Sequence, residues 1–417
     1  MGSAAAFLTT LFVFILYGRP FDFMLSGLHL PLIVSIGAMA ACLMSGQLIK
    51  KLNVKTTTPL IVLTGWMALS TVFSVWPGGS TRIFIDHWIK QWLPYVLVVV
   101  AIQTTRQATT LLRVLAVSLL LASIFGLVLG QSDEGRLSLP AGQYANPNYF
   151  ALAMASGFVI VWSFVHGRGL NFFLRALGFA YLPVFLFLVL ESQSRAAFLA
   201  TLLAFGAFFV RGSLAAKVKL LIAVVILGGL AFSVANTRTI SRLKDAAALA
   251  SSSSSEGPDG STQSRFELLK DSIRLTFANP LLGVGPGMFM VAQNTMARDE
   301  GEINGTWQGT HNTYTQFSSE VGIPALLMFV IVIYYCVSSI LATGRLNGST
   351  VSSQRDRNHA SLMSLQGLWV LYIVCFCFFH IAFTAFLPTL IALTMATTGA
   401  ITRDCRAIQA AQMEAAG

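Results

Sequence analysis

The chain has 417 residues, of which 55% are hydrophobic and only 11% charged, and its mean hydropathy is +0.70. A soluble domain carries about 25% charged residues, so the composition excludes a soluble enzyme and reads as an all-α polytopic membrane protein. The net charge of +10 would suggest nucleic acid on a soluble protein. Cytoplasmic loops of membrane proteins collect Lys and Arg, however, so no nucleic-acid partner is expected.

A helix needs about 20 mostly apolar residues to cross the hydrocarbon. About twelve segments meet this, near 5–24, 30–49, 58–76, 83–102, 108–130, 147–166, 172–190, 194–211, 216–235, 313–342, 360–382 and 385–402. The first lacks a basic leader and a small-residue cleavage site and reads as a retained helix. The fourth contains Asp86, His87 and Lys90; Asp86 and Lys90 are spaced for a structural i,i+4 pair. Every second loop is basic, through Lys50, Lys51 and Lys55, then Arg106, then Arg168 and Arg175, then Arg211, Lys217 and Lys219. The series continues with Arg345, Arg355 and Arg357 and ends with Arg403 and Arg406. This alternation puts both termini in the cytoplasm and the odd-numbered loops on the opposite, outer face. Five cysteines, Cys42, Cys336, Cys375, Cys377 and Cys405, lie in apolar runs or the C-terminal tail. They form neither a disulfide framework nor a zinc spacing.

One outer loop dominates, so the chain divides into spans (1–236), a large loop (237–312) and further spans with a tail (313–417), all one integrated domain. The loop holds 7 of the 27 Lys and Arg and 8 of the 17 Asp and Glu. Ser251 to Ser255 is low-complexity. Ser264 and Glu267 have the spacing of a capping box. Phe266, Leu269, Ile273 and Phe277 follow at helical spacing, which predicts an amphipathic helix across the mouth of the bundle. Asn279-Pro280 stops it, and Gly283, Gly285 and Gly287 make a tight turn.

Several residues suggest chemistry. Arg265 falls at the first position of the capped helix, where free N–H groups and a guanidinium fork suit a diphosphate; the bland alternative is a salt bridge to Asp271. Arg195 sits in a short outer connection, against the charge trend. Ionisable residues at that depth usually face the bundle interior and have a role, although snorkelling is the alternative. Gln193 shares its turn. His311 opens the helix after the loop and suits a general base for a sugar hydroxyl. It is alternatively a histidine merely satisfied there, with Asn312 as the N-cap. Glu320, about two turns further on, reads as a group paired within the bundle. Arg82 and Arg136 are candidates for a basic outer cavity. Asn146-Pro147-Asn148 reads as a helix entry whose polar side chains can also line a cavity. The outer loop has no D-x-D motif, and the glycine turn does not fit a nucleotide-binding loop. With no Cys/His cluster either, the expected enzyme uses neither metal nor nucleotide cofactor. Arginines can offset the charge of a departing diphosphate.

Three runs in order, SRFELLKDS (264–272), NPLLGVGPGMF (279–289) and HNTYTQFSSEVG (311–322), resemble the O-antigen ligase and polymerase superfamily. NPN (146–148) and SRAAF (194–198) are similar to its upstream marks. The resemblance implies a bacterial inner-membrane glycosyltransferase of GT-C type with a large periplasmic loop. It implies a donor glycan on undecaprenyl diphosphate and, in the ligase branch, a sugar hydroxyl of lipid A–core as acceptor. Arg195 and Arg265 match the arginines that bind the diphosphate, and His311 matches the essential histidine, accompanied by Asn312.

Three other readings compete. An O-antigen polymerase and a protein O-oligosaccharyltransferase would use the same donor. A transporter of lipid-linked glycans would also need a basic cavity, but it predicts polar breaks near the middle of the spans, whereas the polar residues here gather at the outer boundary.

Overall fold

The computed structural model describes residues 2–19, 26–46, 48–133, 135–167, 170–211, 260–301, 305–350 and 352–416. The segment 216–235, the serine run 251–255 and Arg168 therefore lie outside the described residues. Among those described, six helices are long and apolar enough to cross a membrane: Pro77–Ala101, Thr105–Leu129, Pro147–His166, Phe172–Glu191, Ile323–Gly348 and Gln354–Phe376. Shorter apolar helices are Ser3–Gly18, Leu30–Met44, Thr57–Val72 and Arg195–Phe209. A long helix, Phe386–Ala416, closes the chain. The chain is an all-α, multi-pass membrane protein.

The helix starts follow local chemistry. Thr104 and Gln107 form a reciprocal capping box at the start of Thr105–Leu129. Asn171 caps Phe172–Glu191 by accepting from the Leu174 amide at 2.8 Å. Pro147 opens Pro147–His166 behind the Asn146 cap. This last helix is the axis of the fold: its most apolar stretch is 83% buried, against 28% for Phe172–Glu191 and for Ile323–Gly348, which therefore form the outer wall.

Two expectations are corrected. First, the predicted span 313–342 is two helices, Thr313–Val321 and Ile323–Gly348. Gly322 adopts φ +97° between them, and a side chain there would strike the Leu281 carbonyl. Pro324, at the second position of the following helix, favours a new start. Second, the loop helix runs Gly260–Ala278. Ser264 is inside it rather than capping it, so the helix start does not supply free N–H groups at Arg265. Of the predicted stripe on this helix, Leu269 is half-buried, while Phe266, Ile273 and Phe277 are 57%, 42% and 73% exposed. The buried face is Leu268, Ser272, Leu275 and Thr276, with the hydroxyls of Thr276 and Ser318 2.8 Å apart. A short antiparallel hairpin, Gln131–Asp133 with Arg136–Ser138, joins two of the spans. The expected Asp86–Lys90 pair is present at 2.8 Å, with Asp86 on a stretch of π-helix, Phe84–Ile89, and Lys90 directly after it.

Candidate active site

The site is assembled from four connections at one end of the bundle and from the helix Gly260–Ala278, which carries Arg265. The first is the approach to Thr313–Val321. Asn312 caps that helix, its Oδ1 accepting from the Thr315 amide at 3.0 Å, while its Nδ2 donates to the Cys377 carbonyl at 3.2 Å. Thr310, buried, donates to the Asn312 carbonyl at 3.0 Å. His311 is held between them in the left-handed region, φ +47°. A non-glycine residue there costs about 1–3 kcal/mol and persists only when its surroundings over-determine it. The ties on either side do so, and they set the direction of the ring.

The second connection is the turn Ser192–Ser194. Gln193 also adopts a positive φ, +51°, and its Nε2 donates to the Gly135 carbonyl at 2.6 Å. Arg195 begins the next helix directly after this turn. The third connection is the hairpin. Arg136 reaches from its second strand, with Nη2 donating to Asn148 Oδ1 at 2.9 Å and Nε to the Ser192 carbonyl at 3.3 Å. The Ser194 hydroxyl donates to the same Asn148 oxygen at 3.1 Å. Asn146 is the cap, accepting from the Asn148 amide at 2.9 Å, and Asn148 is the buried acceptor that ties Arg136 to the arginine-bearing turn.

The fourth connection is the segment 377–385 after Gln354–Phe376. The Thr313 hydroxyl donates to the Phe379 carbonyl at 2.6 Å, the Ile381 amide donates to Thr313 Oγ1 at 3.2 Å, and the Ala382 amide donates to Gln316 Oε1 at 3.1 Å. The Tyr149 hydroxyl donates to the His380 carbonyl at 3.0 Å. This clamp places His380 against His311, with ring centroids 5.0 Å apart and planes at 78°. Sequence reasoning missed His380 because hydropathy assigned it to a span. The available signal was an ionisable residue at the end of an apolar run.

The electrostatics join these parts. Burial pulls the His311 ring down to about 3, assisted by His380, Arg265 and Arg136. Burial, then Arg265, pulls His380 down to about 4. Arg265 is itself lowered, by burial first and then by the charge of Arg195. Arg136, Arg195, Arg265, His311 and His380 thus act on one another. Both histidines are neutral at neutral pH, the form that accepts a proton. Among the described residues no acid pairs with Arg265; Asp271 instead lies near Arg274 and accepts from Gln293. Of the remaining candidates, Asn312 serves as cap and tie. Arg82 is not among the charges acting on His311 or Arg265; its side chain is 84% exposed, 3.9 Å from Asp86.

The glycine turn does not belong to this cluster. Its amides bond to the end of Thr313–Val321, Val284 to the Ser319 carbonyl and Gly285 to the Glu320 carbonyl at 2.9 and 2.8 Å. Ser70 donates to the Leu282 carbonyl at 2.5 Å and Ser74 to that of Val284 at 3.1 Å. Glu320, fully buried, accepts from the Gly287 amide at 2.8 Å. Burial nevertheless pushes its carboxyl up to about 8, against the opposing pull of hydrogen bonds from Gly287, Phe289 and Gln316. Among the described residues no group of three or more His, Cys, Asp or Glu could hold a metal ion.

Residues 178–330 match the family model described as O-antigen ligase, and this match supports an O-antigen ligase-type protein. It takes in Arg195, Arg265, the glycine turn and His311; Arg136, Asn148 and His380 lie outside it. No curated protein matches the chain.

Proposed function

We propose that this chain is an inverting O-antigen ligase of GT-C type, with about twelve spans and one large periplasmic loop. It transfers O-antigen polysaccharide from undecaprenyl diphosphate to a sugar hydroxyl of lipid A–core. On this reading it sits in the bacterial inner membrane, with both termini cytoplasmic and the site on the periplasmic side. The observation that carries it is the meeting of Arg136, Arg195 and Arg265 with a buried, neutral His311 at the ends of the spans.

The transfer is a single displacement. The acceptor hydroxyl oxygen attacks the anomeric carbon of the donor's first sugar as the bond from that carbon to the diphosphate oxygen breaks. The hydroxyl proton passes to His311, and the electron pair leaves with undecaprenyl diphosphate, whose charge Arg195 and Arg265 offset. Arg136, held by Asn148 and Ser192, adds positive charge next to His311. These cations oppose a proton on His311 until an anionic donor neutralises them, so the base gains strength when the donor is in place. The polyprenyl tail stays in the hydrocarbon, because each buried CH₂ is worth about 0.8 kcal/mol.

The test is complementation of a ligase-deleted, lipopolysaccharide-making host with wild type, His311→Ala, Arg195→Ala and Arg265→Ala. Lipopolysaccharide and lipid-linked O-antigen are read side by side at matched protein levels. Restoration of the ladder by wild type, with long polymers stranded on the lipid carrier in the variants, supports the ligase. Failure to polymerise without the protein, with single repeats on the core, assigns a polymerase instead.

A further inference from the structure

The loop before His311 carries a tryptophan that neither the fold nor the chemistry above uses. Its backbone is pinned on both sides. On one side the Gly305 amide donates to Asn294 Oδ1 at 2.9 Å and the Thr306 amide to Gln293 Oε1 at 3.1 Å. Both acceptors are buried side chains of the helix Phe289–Asp299. A side chain at Gly305 would stand 2.3 Å from the same Gln293 oxygen, so the chain runs close against that helix. On the other side, a side chain at Gly309 would stand 3.2 Å from three atoms of the His380 ring, and Thr310 is tied to the Asn312 carbonyl. Trp307 lies between these pins in the left-handed region, φ +53°, where a bulky residue is strained. Burial does not offset the strain: Trp307 is 55% exposed, and Thr306 and Gln308 beside it are exposed as well. The helix that pins the loop exposes Thr295, Arg298 and Asp299, and Glu300 at its end pairs with Arg274. Charges so dense do not face hydrocarbon, so the indole stands on the water side.

We propose that Trp307 is a stacking platform for a sugar ring of the glycan bound next to His311. A sugar ring has an apolar C–H face and a rim of hydroxyls. The face of an indole carries partial negative charge, which attracts the polarised C–H groups of such a ring. The exposed side chains on either side, Thr306 and Gln308, supply a hydroxyl and an amide that bond to the rim. An aromatic surface with a few polar groups beside it is the ordinary make-up of a small-ligand site. The four residues from Trp307 to His311 span at most about 14 Å, close enough for one oligosaccharide to reach both. The same loop carries His311, which receives the acceptor's proton, so the ring expected on the indole belongs to the acceptor.

The inference rests on the glycan-transferase reading and is tested first without turnover. The full chain is placed in proteoliposomes, and its tryptophan fluorescence is quenched with acrylamide; subtracting the Trp307→Phe signal isolates Trp307. Two soluble probes are added in turn, the core oligosaccharide and the O-antigen polysaccharide, each released from lipopolysaccharide and free of lipid. Core oligosaccharide is expected to shield Trp307 from acrylamide. Shielding by the O-antigen alone supports the platform and moves it to the donor's sugars. Shielding by neither overturns the proposal. Quenching of Trp307 by brominated lipids in the absence of glycan also overturns it and assigns the indole to the membrane surface. In turnover, Trp307→Ala is expected to raise the KM for the shielding substrate about tenfold, with kcat changed far less, the mark of lost ground-state binding. Trp307→Phe should recover most of the affinity. Trp307→Gly, which suits the backbone conformation, should show the same rise in KM without a lower unfolding temperature, which separates the platform from a role in the fold. Transfer with KM unchanged in Trp307→Ala overturns the platform and leaves the transferase reading standing. Shielding by glycan in a protein that restores no lipopolysaccharide ladder overturns the transferase reading alone.

Discussion

The short helix Thr313–Val321 has a buried polar region at each end, and the two are satisfied differently. At its C-terminal end, Glu320 and the turn from Gly283 to Gly287 exchange backbone and carboxylate hydrogen bonds, with Ser70 and Ser74 closing the set. At its N-terminal end, Arg265 has no acid partner among the described residues, the histidine Nδ1 atoms are orphaned, and His311 is held in a strained backbone conformation. A polar group that serves the fold uses up its hydrogen-bonding capacity inside the fold. A group that serves a ligand keeps capacity in reserve, and the surrounding structure bears the cost.

Substitutions can break or sharpen this contrast. The largest effect is expected at the N-terminal end: His311→Ala and Arg265→Ala each reduce transfer by about 10²–10⁴-fold, measured as donor consumption in proteoliposomes, with unfolding temperatures little changed. At the other end Gly322→Ala is expected to destabilise by about 3 kcal/mol or more, since the backbone conformation is one only glycine adopts readily and the methyl meets the Leu281 carbonyl. Thermal unfolding in detergent measures it, and transfer per folded molecule should hold. The pH response separates the ends further. Glu320 titrates near 8 in the fold and near its ordinary value of about 4.5 in the unfolded chain. The unfolded state therefore releases the proton first as pH rises. The contribution is fully present below about 4.5 and is lost between there and about 8. Unfolding temperature should fall across that window, and Glu320→Gln should flatten the slope. The smallest effect is expected at Arg82→Ala, whose exposed pair with Asp86 is screened by solvent; transfer and unfolding temperature should both match wild type.

Much of the candidate site was legible because charge is rare in this chain. Arg195, Arg265 and His311 stood out against apolar surroundings, and the structure brings all three into one electrostatic group. Other features were hidden for physical reasons. His380 was absorbed into an apolar run, because hydropathy averages over a window and the chain leaves its helix at Phe376. The break at Gly322 depends on a carbonyl some forty residues earlier, which no local pattern contains. The loop helix was found, but the side of it that is covered was not. Periodicity reveals that a helix has an apolar face without saying what covers it, and in a membrane protein the outer solvent is apolar too. The hairpin carrying Arg136 is too short for alternation to register.

That helix sets a condition on how the protein can be handled. Arg265 is carried on a rod whose inner edge, Leu268, Ser272, Leu275 and Thr276, rests on protein, and whose outer edge, Phe266, Ile273 and Phe277, is open. A detergent too short to coat the phenylalanines would let it tilt, carrying the guanidinium away from the histidines. Binding at the site is therefore expected to vary with the amphiphile that covers this edge, which diphosphate titration in detergents of different chain length measures.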